Sequence, residues 1–177
     1  DFTATLGGPI KKDRAWFFLG YEYWRDGYAM PGEDPDMIPE WYTDRYDLKL
    51  SLRINDKNLL DFKGAFTDWG YPASPNEFIT PSASAGEVGD DTIWGMSWQS
   101  IFNDRTFMEV RYSGWKSTDD YLSNTGSTEA AFIDYSPPGG GPATYSGGVW
   151  WPWTYDTSTD QASIVVSHFA DDFLKGD

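Results

Sequence analysis

Between Arg45 and Asn55 apolar and polar residues alternate without a break: Tyr46, Leu48, Leu50, Leu52 and Ile54 are interleaved with Arg45, Asp47, Lys49, Ser51 and Arg53. A period of two puts the first set on one face of a strand and the second on the other. Seven strand-like runs are predicted in all, about Phe2 to Ile10, Ala15 to Arg25, Thr43 to Asn55, Asn58 to Trp69, Thr92 to Asn103, Thr106 to Lys116 and Gln161 to Leu174. Polar turns at Lys11-Lys12-Asp13-Arg14, Asn55-Asp56-Lys57-Asn58 and Asn103-Asp104-Arg105-Thr106 join the first six runs in pairs. The segments between pairs are far longer, roughly Gly27 to Tyr42, Gly70 to Asp91 and Tyr121 to Thr159.

Hairpins of this kind build an antiparallel up-and-down meander, so the predicted fold class is all-β. Short turns at one end and long loops at the other are the layout of an outer-membrane β-barrel. In that setting the apolar face meets lipid, and Arg45, Asp47, Lys49 and Arg53 face a wet lumen. The competing architecture is a secreted, soluble β-sandwich, whose apolar face would meet a second sheet. Periodicity alone does not separate the two.

Aromatic residues make up 18% of the chain, with ten Trp and eleven each of Tyr and Phe. Barrels gather such residues at the two membrane interfaces, and Trp16, Trp24, Trp69, Trp94 and Trp115 are the expected girdle positions. The last long loop carries Ser136-Pro137-Pro138-Gly139-Gly140-Gly141-Pro142, which is incompatible with a helix or a central strand. Trp150, Trp151, Trp153 and Tyr155 follow it. They are the candidate ligand-binding residues, through stacking on a sugar or an aromatic group, with packing of the loop on itself as the plain alternative.

There is no cysteine and only one histidine, His168, so neither a disulfide framework nor a thiolate metal site is available. The formal net charge is −15, and no Lys or Arg occurs from Asp26 to Asp44, from Gly64 to Asp104 or from Ser117 to Leu174. Purely acidic loops disfavour nucleic-acid binding, because phosphate neutralisation needs clustered cations. Asp34, Asp36 and Glu40, with Asp26 and Glu33, are weak candidates for a hard cation, though Asp34-Pro35-Asp36 lacks the spacing of an EF-hand loop. A solvated acidic loop is the plainer reading. Adjacent carboxylates such as Asp90-Asp91, Asp119-Asp120 and Asp171-Asp172 point to opposite faces of a strand, so none is a ready acid–base pair. No phosphate loop, nucleophile elbow or metalloprotease motif occurs, and the chain is expected not to be an enzyme.

The opening string Phe2-Thr3-Ala4-Thr5-Leu6-Gly7-Gly8-Pro9-Ile10-Lys11-Lys12-Asp13-Arg14-Ala15-Trp16-Phe17-Phe18, continuing to Tyr21-Glu22 and Arg25, resembles a segment of TonB-dependent outer-membrane receptors. More narrowly, it resembles the Oar-like branch, whose members carry an N-terminal carboxypeptidase-regulatory-like domain. The strand from Tyr46 to Asn55 and the string Phe169-Ala170-Asp171-Asp172-Phe173 are similar to barrel hairpins of the same group. The resemblance implies that residues 1–177 are about seven strands of a transmembrane barrel of about 22 strands, with the plug and the regulatory-like domain absent. It further implies a bacterial outer-membrane location in contact with lipid and lipopolysaccharide, coupling to the TonB complex through the missing N-terminal part, and an unidentified nutrient, an oligosaccharide or a peptide. No cofactor is implied. An outer-membrane adhesion or secretion component is a third possibility with the same wall and loops.

Overall fold

The computed structural model describes residues 1–27, 40–72, 78–136 and 138–170. Among the described residues nine strands run in chain order: β1 Phe2–Lys11, β2 Ala15–Gly27, β3 Glu40–Asn55, β4 Asn58–Pro72, β5 Ala85–Asn103, β6 Thr106–Ser123, β7 Ala131–Asp134, β8 Thr144–Gly147 and β9 Trp153–His168. Seven of them form one antiparallel sheet in the order β1-β2-β3-β4-β5-β6-β9, and β7 and β8 form a separate two-stranded sheet. The predicted all-β meander is therefore the observed one.

The three polar turns close their hairpins as their chemistry dictates. Asn55 Oδ1 accepts hydrogen bonds from the Lys57 backbone N–H and the Asn58 amide, both at 2.9 Å, and Asn103 Oδ1 accepts from the Arg105 N–H at 3.0 Å. Short polar side chains that turn back on their own backbone are what make Asn a turn former. In the first turn Asp13 takes the left-handed conformation, with φ 59°. Each turn carbonyl then reaches the next segment across: Arg14 O accepts from Arg53 N–H on β3 at 2.7 Å, Lys57 O from Ile101 N–H on β5 at 2.8 Å, and Arg105 O from Phe169 N–H, just past the end of β9, at 2.9 Å.

Beside every turn the register slips, between Pro9 and Lys11, Arg53 and Asn55, and Ile101 and Asn103. The bulged positions are Ile10, Ile54 and Phe102, all exposed. This corrects the reading of Ile54 as the last member of a regular alternation. It is instead one of three apolar residues turned out of the ladder at the short-turn end, because a bulge adds a residue with no partner.

Several strands run further toward the loops than expected. β5 begins at Ala85 rather than Thr92, β6 continues to Ser123 rather than Lys116, and β9 begins at Trp153 rather than Gln161. The added residues are Gly-, Asp-, Ser- and Thr-rich and carry no alternation. Pairing with a neighbour, not propensity, makes them strands. Leu174, the expected end of the last strand, lies outside the described residues, as do Asp171, Asp172 and Phe173.

Register divides the side chains between two faces. Leu6, Leu19, Leu48, Gly64, Trp94, Gly114 and Asp160 lie directly opposite one another across the seven strands and share one face. Leu50, Leu52, Phe62, Phe66, Met96, Val110 and Ile164 fall on the same side. A ring chain Phe2–Tyr21–Tyr46–Phe66 runs across it, with centroids 5.0 to 6.4 Å apart. Glycine at 114 lets the Trp94 ring lie against the backbone where a Cβ would collide. Of the five expected girdle residues only Trp94 is on this face. Trp16, Trp24, Trp69 and Trp115 lie on the other, since their positions fall on the alternate residues of each strand.

Little of this apolar surface is covered. Among the described residues the buried hydrophobic side chains are Ala85 and Val149, both at the loop end.

Candidate functional site

At the loop end the two long connections of the described chain are sewn together. The Thr80 N–H donates to Tyr145 O at 3.0 Å and the Tyr145 N–H to Phe78 O at 2.6 Å, so the β4–β5 connection pairs with β8. Nearby, the Asn124 N–H donates to Ser84 O at 3.1 Å, and the Ser123 hydroxyl to Ser82 O at 2.8 Å. Ser84, Ala85, Gly148 and Val149 are buried in this junction.

A pocket of about 410 Å³ opens between the junction and the sheet, lined by Phe132, Tyr145, Trp150, Trp151, Tyr121 and Trp153 among others. That volume lies within the range of small-ligand sites. Three of the four predicted ligand residues meet here. Trp150 and Trp151 are 63% and 67% exposed and form its outer wall, while Trp153 is half-buried against Tyr121, its ring stacked at 4.2 Å and 14°. Tyr155 does not line the pocket. It stands two residues along β9 on the face of Trp153, with ring centroids 6.4 Å apart.

Beyond this stack, one cross-strand row continues over the face opposite the apolar band: Trp153 on β9, Tyr121 on β6, Glu87 on β5, Tyr71 on β4 and Trp41 on β3. Trp41 and Tyr71 stack at 4.5 Å and 23°. The next row toward the turns holds Trp69 and Asp119. The Trp69 indole donates to Asp91 at 3.2 Å and the Trp153 indole to Asp119 at 3.3 Å. Burial, with the Asp119 carboxylate close by, pushes the Glu87 carboxyl above its ordinary range. Trp41, Tyr71, Glu87 and Tyr121 were not singled out in the sequence. Their signal is parity along four strands, and it requires the cross-strand register to become visible.

The predicted lumen-facing set does share one face. Arg45 pairs with Asp47 at 3.1 Å, Lys49 lies opposite Lys63, and Arg53 opposite Leu59. Glu40 opens β3, opposite Gly27; Asp34 and Asp36 lie outside the described residues, as does Glu33. Among the described residues no group of three or more His, Cys, Asp or Glu side chains is arranged to hold a metal ion.

Comparison with protein-family models, with curated proteins and with solved structures gives no significant match.

Proposed function

We propose that the chain is a wall segment of an outer-membrane β-barrel of the TonB-dependent receptor class, in its Oar-like branch, serving nutrient uptake and carrying out no reaction of its own. One observation carries the membrane part of this reading: the apolar band crosses the sheet on a slant. The first charged residue beyond the band, toward the loops, is Arg25 on β2, Asp44 on β3, Asp68 on β4, Asp90 on β5, Lys116 on β6 and Asp160 on β9. Register places Arg25 level with Thr154, six residues before Asp160. The band edge thus drops about 20 Å along the strands over five strand spacings, about 24 Å. The edge is level from Asp44 through Asp68 to Asp90 and steps by two residues between the other neighbours, a mean slope of about 40°, comparable to the tilt at which barrel strands cross a bilayer.

A band of constant depth in lipid produces this slant because the membrane plane, not the hydrogen-bond row, sets where apolar residues end. Aromatic residues at the edge, Tyr23, Tyr46, Phe66, Trp94 and Tyr112, follow the same line, as an interfacial girdle does. The sandwich reading calls for a second sheet over this face, and the described residues supply only β7 and β8 at the loop end. Coupling to TonB and a nutrient cargo rest on the family resemblance of the opening string.

Depth measurements test the reading. With the full-length protein in vesicles, probes attached to single cysteines at Tyr23, Tyr46 and Ala162 are quenched to the same degree by lipids brominated at one depth. Probes at Tyr23 and Asp156, in one hydrogen-bond row, differ in depth by about 15 Å. Equal depths along the row, or a product that fractionates as soluble and shows no heat-modifiable migration, would sink the proposal.

A further inference from the structure

We propose that Glu87 and the aromatic rings on either side of it form a cage for an organic cation, an amine or guanidinium of the kind a basic peptide carries. The inference rests on the reading above, in which this end of the wall faces incoming substrate, and it names the substrate class.

The two ring pairs in the row are stacked at 4.5 and 4.2 Å, close to the spacing of about 4.8 Å between neighbouring strands. Rings so spaced stand upright side by side, each showing a face along the row. Tyr71 and Tyr121 are then the inner walls, two strands apart, about 9.6 Å, with Glu87 on the strand between them. A cation above Glu87 sits about 5 Å from each ring, within the roughly 6 Å over which a ring face attracts positive charge. Trp41 and Trp153 back the two walls and hold them upright.

Charge selects the ligand. Glu87 is half-buried and has neither a hydrogen bond nor an ion pair among the described residues. Asp26, Asp91 and Asp119 lie on the same face, and toward the loops beyond Arg45 the described part of that face carries no Lys or Arg. Two of the indole N–H groups on this face that could serve sugar hydroxyls are already used, Trp69 on Asp91 and Trp153 on Asp119. Apart from the phenol hydroxyls and the Trp41 indole, what remains is ring faces and the unmatched carboxylates of Glu87 and, opposite Trp41, Asp26. That combination stabilises a cation and offers little to a neutral sugar.

Isothermal titration of the full-length protein in detergent with tri-arginine tests the cage, with maltotriose and tri-glutamate as comparisons. Saturable binding of tri-arginine is expected, weakened about tenfold or more in Glu87→Gln and in Tyr121→Leu but restored in Tyr121→Phe. Heat-modifiable migration of each variant reports that the wall has folded. Unchanged affinity in folded Glu87→Gln, or tighter binding of maltotriose than of tri-arginine, overturns the cage and leaves the outer-membrane reading standing. A water-soluble product that binds tri-arginine through Glu87 does the reverse.

Discussion

On the wall, Leu50, Leu52, Phe62 and Ile164 stand exposed although nothing polar accompanies them; at the loop end, Ser84, Ala85 and Val149 are buried although the surrounding sequence is rich in Ser, Thr and Gly. The wall is one layer thick. Among the described residues its side chains meet no second sheet, and its order comes from six strand pairings. At the loop end, hydrogen bonds between the β4–β5 and β6–β9 connections close over a small core. The difference teaches that the loop end carries its own shelter, while the apolar face of the wall is left open among the described residues and, on the reading proposed above, meets lipid.

Substitutions that exchange the two environments break this comparison most sharply. Leu48→Arg, in the middle of the band, is expected to lower the stability of the protein in bilayers by about 2 to 4 kcal/mol, whereas Thr67→Arg on the opposite face changes it little. Urea titration in vesicles reads both. Next, Val149→Asp introduces an unpaired charge into the junction and is expected to open it at a cost of about 2 kcal/mol. Limited proteolysis should then cleave near Thr80 and Tyr145 while heat-modifiable migration of the wall persists.

Smaller effects sharpen the slant. Ile164→Arg should behave like Leu48→Arg. Asp160→Arg, two turns of the pleat nearer the loops on the same face, should cost less than about 1 kcal/mol. Equal penalties at Asp160 and Ile164 would contradict a band edge between them. The smallest expected effect is a pH dependence at Glu87, which on the proposed reading lies beyond the residues that would cross the bilayer: β5 has 19 residues, and about 9 to 11 suffice to cross. Its carboxyl is raised in the folded protein, first by burial and then by Asp119, so its ionisation opposes folding above that pKa and the opposition fades as pH falls through it. Glu87→Gln is therefore expected to raise the melting temperature slightly at neutral pH, with the gain disappearing toward pH 4.

Much of the wall is legible in the sequence. Asn55 and Asn103 announced their turns because a short amide can satisfy the turn backbone, and Tyr46 to Leu52 announced a strand because one face had to be apolar. The row Trp41, Tyr71, Glu87, Tyr121 and Trp153 was not legible. Its members are separated by loops whose lengths do not specify a register, and nothing local distinguishes Glu87 from other acidic loop residues. Trp150, Trp151 and Trp153 were legible as a candidate site by their density alone. That Tyr155 stands outside the pocket depends on where β9 begins, which pairing with β6 decides.

The sequence by itself determined the all-β meander, the sidedness of Arg45, Asp47, Lys49 and Arg53, and the acidic character of the loops, because each follows from spacing or composition along a few residues. Tertiary structure alone decided the bulges at Ile10, Ile54 and Phe102, the slant of the apolar edge from Arg25 to Asp160 and the row around Glu87. These are properties of register, and register is set by hydrogen bonds between strands distant in the chain rather than by the preferences of any one of them.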